Sequence, residues 1–251
     1  MSWLPRIALL ALAAGTSAAE PPTLAVAAAA NLRPVLDELG RAFEAEGGGA
    51  RVVATYGASG TLLAQLRAGA PYALFMSADR DYPRQAVAAG LAEREVVYAI
   101  GRLVLYVPHG SAARADASLA GLADPAVRRI AIANPALAPY GRAAEAALRA
   151  AGVLAAVRPK IVLGESVAQA ALLAHAGAVD AALLPQSLAS APELARAGVA
   201  VPLAAAIAPP VPQSAVVLTS ARHADLARAF LSFVTGPRGR AIVARHGYDL
   251  P

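Results

Sequence analysis

Short unbroken apolar runs alternate along this chain with stretches whose apolar residues recur at helical spacing. Unbroken runs suit strands buried on both faces, and the 3.6-residue recurrence suits helices packed upon them. Thr23–Ala28 predicts a first strand and Leu32–Glu46 a helix, with Val35, Leu36, Leu39 and Phe43 on one face. Asn31 stands where an N-cap belongs, Pro34 falls in the tolerated first turn, and Gly47, Gly48 and Gly49 end the helix. Arg51–Tyr56 predicts a second strand. Leu62, Leu63 and Leu66 mark a helix that Ser59 would cap, and Leu74–Ser77 is a third strand followed by a helix capped by Asp79. Further on, Leu103–Val107, Ile130–Ala133, Lys160–Leu163, Ala181–Leu184 and Ala215–Thr219 are strand-like. Helices are predicted over Gly141–Ala151 and Ser166–Ala176, around Leu226, Phe230, Leu231 and Val234, and from Pro237 onward. Such alternation means an α/β chain with largely parallel sheets. The proline-rich stretch Pro202–Pro212 is the clearest linker, and the sequence carries no internal repeat.

Composition narrows the function classes. The chain has 251 residues and no cysteine, which excludes disulfides, thiolate metal sites and a cysteine nucleophile. Hydrophobic residues make up 57% and charged residues 16%, enough for a large core. The apolar excess is mostly alanine, and beyond the N-terminus no run is long and apolar enough to span a bilayer. At the N-terminus, Arg6, the apolar run Ile7–Ala14 and the small residues up to Ala19 read as a cleavable export signal. Cleavage near Ala19 would remove the single tryptophan, Trp3, and leave a soluble protein outside the cytoplasm. The net charge is +5, carried by arginines with Lys160 the sole lysine. This mild excess fits an anionic ligand, and with no basic cluster interleaved with aromatics nucleic acid is not expected as a partner.

Candidate chemistry sits at the strand-to-helix turns, where ligands of open α/β sheets bind. Ala30–Asn31, Ala58–Ser59–Gly60, Pro139–Tyr140–Gly141 and Glu165–Ser166–Val167 each lead into a helix. Helix N-termini present free N–H groups and partial positive charge, an anion site in embryo. Taken singly, each polar residue is explained as a plain cap. Their recurrence in equivalent places is what argues for function. Enzyme signals are weak beside this. Gly57–Ala58–Ser59–Gly60 lacks the spacing of a nucleophile elbow, and His109, His175, His223 and His246 show no pairing with Ser59. No G-x-G-x-x-G, Walker or HExxH pattern occurs, so no nucleotide cofactor or catalytic zinc is expected. Arg238, Arg240 and Arg245 form a basic C-terminal face of the kind that is usually just solvated.

The segments AVAAAANLRPVLDELGRAFEAE and TYGASGTLLAQLRAGAPYALFMSAD resemble the periplasmic molybdate-binding proteins of ABC importers. The likeness continues through GRLVLYVP, NPALAPYGRAAEAAL, GESVAQA and the C-terminal GPRGRAIVARHGYDLP, and so spans essentially the whole chain after the signal. The resemblance implies a type-II, Venus-flytrap periplasmic-binding-protein fold with two lobes, each a mostly parallel sheet flanked by helices. Lobe 1 would comprise residues 20–100 and 206–251, and lobe 2 residues 101–205. It further implies a monomer that captures molybdate, and tungstate with it, for a membrane ABC permease and its ATPase. It is not expected to be an enzyme, to carry a cofactor or to ligate a metal through side chains, molybdenum being bound as the oxyanion. The family's ligand contacts map onto Asn31 and Ser59 in lobe 1 and onto Tyr140 and the backbone of Val167 in lobe 2, with Ala30 and Leu183 as additional positions. Molybdate, tungstate and sulfate offer only acceptors at neutral pH, so hydroxyl and amide donors suit them. Two residues depart from the family pattern: Ala73 replaces an aspartate, and Leu183 stands where a tyrosine is common. The same fold binding sulfate or another small anion is one alternative. A secreted serine hydrolase using Ser59 is an alternative from a different class.

Overall fold

The computed structural model describes residues 22–251. The expected signal segment, with Arg6, Trp3 and Ala19, lies outside the described residues. Ten strands follow in chain order: β1 (Thr23–Ala29), β2 (Arg51–Gly57), β3 (Leu74–Met76), β4 (Val96–Gly101), β5 (Leu103–Pro108), β6 (Ile130–Ala133), β7 (Ile161–Gly164), β8 (Ala181–Pro185), β9 (Gly198–Pro202) and β10 (Val211–Val217). The helices are α1 (Arg33–Ala45), α2 (Ser59–Arg67), α3 (Asp81–Ala88), α4 (Pro139–Ala150), α5 (Leu154–Val157), α6 (Val167–His175), α7 (Gln186–Ala189), α8 (Pro192–Ala197), α9 (Ala224–Thr235) and α10 (Pro237–Arg245).

The strands form two five-stranded sheets, ordered β2-β1-β3-β10-β4 and β7-β6-β8-β5-β9. In the first, β1 pairs parallel with β2 and β3, while β10 runs antiparallel to both β3 and β4. In the second, β6 pairs parallel with β7 and β8, while β5 runs antiparallel to both β8 and β9. Each sheet is therefore mixed, with all strands but one pointing the same way. The chain passes from the first sheet to the second between Gly101 and Leu103, and returns between Pro202 and Val211.

The unbroken runs occupy the interior of these sheets, where both faces are covered. Every residue of β5, β6 and β8 is buried. Strands β4 and β9 are additional to the expected ones. Both are edge strands, and in β9 only Gly198 is buried, so it lacks the full burial of β5, β6 and β8. Strand β10 starts four residues before the predicted Ala215, inside the stretch read as a linker. Pro212 is tolerated there because β3 pairs only with Ala215–Val217, which leaves the start of β10 with one neighbour.

Helices cover the sheets. Phe43 of α1 meets Phe230 of α9 edge-on at 5.2 Å between ring centres, closing the core of the first unit. The basic C-terminal face is largely paired: Arg238 meets Glu46 at 2.5 Å and Arg245 meets Glu38 at 2.6 Å, tying α10 to the end and middle of α1. Among the described residues no helix is long and apolar enough to cross a membrane.

Candidate functional site

The four turns singled out in the sequence follow β1, β2, β6 and β7. In each sheet the two strands concerned are parallel neighbours, so their carboxyl ends lie side by side. The turns from the two sheets meet at one small cavity. Its walls are Ala29, Ala30 and Asn31 at the end of β1 and just past it, Gly57, Ala58 and Ser59 at the end of β2 and just past it, Ala78 after β3, Ala138, Pro139 and Tyr140 after β6, and Val167 after β7. Asn31, Ser59 and Tyr140 are each 1% exposed or less. Five of the six residues named from sequence thus line one cavity. Leu183 does not: it lies fully buried inside β8, opposite Leu105. Ala73, the other departure, joins sheet hydrogen bonds, donating to Ala25 O at 2.8 Å and accepting from Leu218 N–H at 3.0 Å.

Two of the expected caps do other work. Asn31 sits within the 3₁₀ turn Ala30–Leu32, and the residue capping α1 is Leu32, without a side-chain bond. Ser59 is the first residue of α2 rather than its cap, and its Oγ accepts the Ala78 N–H at 3.1 Å. That bond uses a lone pair and leaves the hydroxyl proton free to donate into the cavity. Ser166 is a true cap, accepting from Gln169 N–H at 3.4 Å, which holds the start of α6 and with it Val167. Asp79 is not the cap of α3, which is Arg80 without a side-chain bond, but from one residue earlier it accepts the Tyr82 N–H at 3.3 Å.

The side chain of Asn31 points into a buried polar network. Its Nδ2 donates to Gln213 Oε1 at 3.0 Å and to Tyr248 Oη at 2.9 Å, which uses both amide protons. Its Oδ1 is the one buried side-chain polar atom without a partner among the described residues. What the Asn31 turn offers an anion is therefore its backbone N–H, since helical turns begin with N–H groups that lack internal acceptors. Ser59, Tyr140 and Val167, in the first turns of α2, α4 and α6, offer theirs in the same way, whereas the Gly60 N–H is taken by Leu137 O. Burial pushes the Tyr140, Tyr98 and Tyr248 hydroxyls above the ordinary phenol range, so each remains a donor. None of the wall residues carries a charge. A small acceptor-only species held by convergent amide and hydroxyl dipoles is the chemistry this cavity can perform.

Contacts between the two units close over the site. Gly60 N–H donates to Leu137 O at 2.9 Å, and Tyr82 Oη donates to Ala136 O at 3.3 Å while accepting from Arg142 Nη1 at 3.0 Å. Arg142 also forms an ion pair with Asp79. Burial pushes the Asp79 carboxyl up, against the hydrogen bonds from Ser77 and the Tyr82 N–H and the charge of Arg142, which hold it down. Ser187 Oγ donates to Asn31 O at 3.4 Å and Tyr248 Oη to the same oxygen at 3.0 Å. Gly60 has to be glycine here: a Cβ would stand 2.7 Å from Tyr82 Oη and 3.0 Å from Leu137 O.

A hydrolase site is not assembled. Ser59 Oγ is bonded to a backbone N–H, and none of the four histidines lines the cavity. His246 instead meets Glu38 at 2.8 Å on the far side of α1. Sequence reasoning missed Gln213, Ser187 and Tyr98 as members of the site's surroundings. The available signal was a polar residue interrupting a buried apolar run, which Gln213 and Ser214 do at the start of β10.

Known proteins resemble this chain over most of its length. The molybdate-binding protein ModA of Azotobacter vinelandii is 30% identical over 246 residues, covering 96% of both chains. ModA of Rhodobacter capsulatus is 33% identical over 224 residues, covering 88% of this chain and 86% of that one. The solved periplasmic molybdate-binding protein of Azotobacter vinelandii superposes with a TM-score of 0.83 at 33% identity, over 91% of this chain and 99% of that one. The family model for bacterial extracellular solute-binding proteins matches residues 24–249, and to that family this chain belongs.

Proposed function

We propose that this protein captures molybdate, and tungstate with it, in the cavity between its two units and hands it to a membrane ABC permease with its ATPase. It works in the periplasm, as a monomer and without catalysis. The observation that carries the reading is the convergence of four strand-end turns from two sheets on one cavity whose walls are uncharged. The names of the relatives, molybdate-binding proteins at 30% and 33% identity, support the choice of ligand. Residues 20–100 and 206–251 act as one lobe and 101–205 as the other, moving about the crossings near Gly101 and Ala205.

The mechanism follows from the donors. The open protein presents the Asn31 turn, the Ser59 hydroxyl and the first N–H groups of α2. The anion docks there first. Closure then brings up the first N–H groups of α4 and α6, at Tyr140 and Val167. The closed site excludes water, which strengthens each hydrogen bond to the anion. Phosphate keeps a proton near neutral pH and would favour a carboxylate acceptor, which none of the wall residues carries. Sulfate shares the acceptor-only character of molybdate and differs in size.

A thermal-shift panel on anion-stripped protein tests the reading, with molybdate, tungstate, sulfate and phosphate at equal concentration. A ligand at 100 times its dissociation constant stabilises the native state by about 2.7 kcal/mol, a shift readily seen. Molybdate and tungstate are expected to raise the melting temperature and sulfate to do so little. A shift with sulfate alone would replace the ligand, and no shift with any of the four would overturn the oxyanion reading.

A further inference from the structure

Gln213 is fully buried on β10, at the point where the register with β4 shifts. Such irregularities re-aim a side chain out of the regular alternation. The amide does not line the cavity, yet it bonds to residues of the anion turns from both sheets. Its Oε1 accepts from Asn31 Nδ2 at 3.0 Å, and its Nε2 donates to Tyr140 Oη at 3.0 Å. Tyr98 Oη lies 3.2 Å from the same Oε1 and donates to Ser77 O at 2.8 Å, just before Ala78 of the cavity wall. In this arrangement the amide uses one acceptor and one donor, which leaves the Tyr140 proton free for another partner, whereas a carboxylate in its place could hold Tyr140 only by taking that proton.

The same amide sits against the crossing between the two units. A Cβ on Gly101 would run into Tyr140 Oη and stand 2.5 Å from Gln213 Nε2. The Tyr140 ring therefore reaches from the first turn of α4 back to the crossing strand, where Gln213 holds its tip. We propose that Gln213 is a positioning residue of the anion site, which links the Asn31 turn of one unit to the Tyr140 turn of the other at the crossing, so that the amide N–H groups of both turns converge only when the Gln213–Tyr140 bond is made. This rests on the molybdate reading and adds to it a residue that acts on the site without touching the anion.

The linkage explains why Asn31 and Tyr140 serve through their turns. Their side-chain ends are engaged with Gln213, which leaves the backbone to face the ligand. It also makes closure and binding one event, because the bond between Gln213 and Tyr140 spans the two units.

The test uses sodium molybdate with the full mature chain and Gln213→Glu, followed by calorimetry from pH 6 to pH 8 in buffers of different ionisation enthalpy. The substituted side chain, when protonated, reproduces one donor and one acceptor, whereas its carboxylate form can only accept and so reverses the bond and withdraws the Tyr140 proton from the site. The groups facing it are Tyr98, Tyr140 and Tyr248, whose hydroxyls stay protonated over this range, and Asp79, which is paired with Arg142. The expected result is a variant that takes up a proton on binding molybdate and whose affinity falls at least tenfold from pH 6 to pH 8, while the native protein does neither. Tyr140→Phe removes the other end of the bond and only one oxygen, which guards against a Gln213 variant that does not fold. It should weaken molybdate binding on its own, and adding Gln213→Glu to it should cost markedly less than in the native background. Native binding of molybdate with no proton uptake in Gln213→Glu, or with additive effects of the two substitutions, would overturn this inference alone. A native protein that binds no molybdate would overturn the functional reading and this inference with it.

Discussion

Ser59 Oγ takes the Ala78 N–H at 3.1 Å, and that bond decides where its own proton can go. With one lone pair engaged by the backbone, the hydroxyl is set as a donor to whatever fills the cavity. Ser59→Ala should therefore leave the fold intact and cost about 1–3 kcal/mol of molybdate binding, read as a rise in Kd by calorimetry. Glu95 makes a separate prediction about stability. Burial would raise its carboxyl, but hydrogen bonds from Arg80, Arg84 and Ser214 hold it down to about 2. A carboxylate with a depressed folded pKa adds stability above its ordinary value of 4.5 and loses it as pH falls toward 2. The melting temperature should drop through that window, and Glu95→Gln should flatten the drop while lowering the melting temperature at pH 7. At this scale the sequence was legible where a residue type matched a donor's task, as with Ser59. It was not legible where a side chain turns away from the site, as Asn31 does toward Gln213 and Tyr248. Nothing local to Asn31 encodes that direction, because its partners lie 182 and 217 residues away.

Strand ends and helix starts are the parts from which the site is made. The strands buried on both faces could be read from unbroken apolar runs, and β1, β5, β6 and β8 fell close to their expected limits. Edge strands β4 and β9 could not, although VVYAIG and GVAVP are apolar throughout, because a short apolar run alone does not distinguish a strand from other structure. The start of β10 was hidden by Pro212, whose place in a strand depends on β3 being too short to reach it. The helix that Ser59 was expected to cap exists, but it begins at Ser59 itself and brings Gly60 against the other unit. Gly60→Ala should make this visible. Its new Cβ would press on Tyr82 Oη at 2.7 Å and Leu137 O at 3.0 Å. Overpacking of this kind costs about 1–3 kcal/mol, and here the cost falls chiefly on the closed form. The expected outcome is weaker molybdate binding with a nearly unchanged melting temperature for the empty protein, compared by calorimetry and thermal shift.

The two sheets share one plan: β2-β1-β3-β10-β4 corresponds position by position to β7-β6-β8-β5-β9, with the same ladder directions. No sequence repeat announces this, because sheet interiors tolerate any apolar residue of suitable size, and the likeness survives only as order and direction. The closure contacts belong to the same scale. Arg142→Gln would remove the partner of the buried Asp79 only where the two units meet. Bound molybdate should then leave faster, by about tenfold for each 1.4 kcal/mol lost from the closed form, as timed by exchange against labelled molybdate. A last consequence comes from the eleven wall residues, none of which is charged. A dianion held there meets no counter-ion of its own, so both negative charges are added to the net charge of the complex. Filled and empty molecules should part on an ion-exchange column. Raising salt until the screening length shrinks from about 10 Å to about 3 Å should weaken binding little, because the dipoles that hold the anion sit against it, inside the reach of any screening cloud.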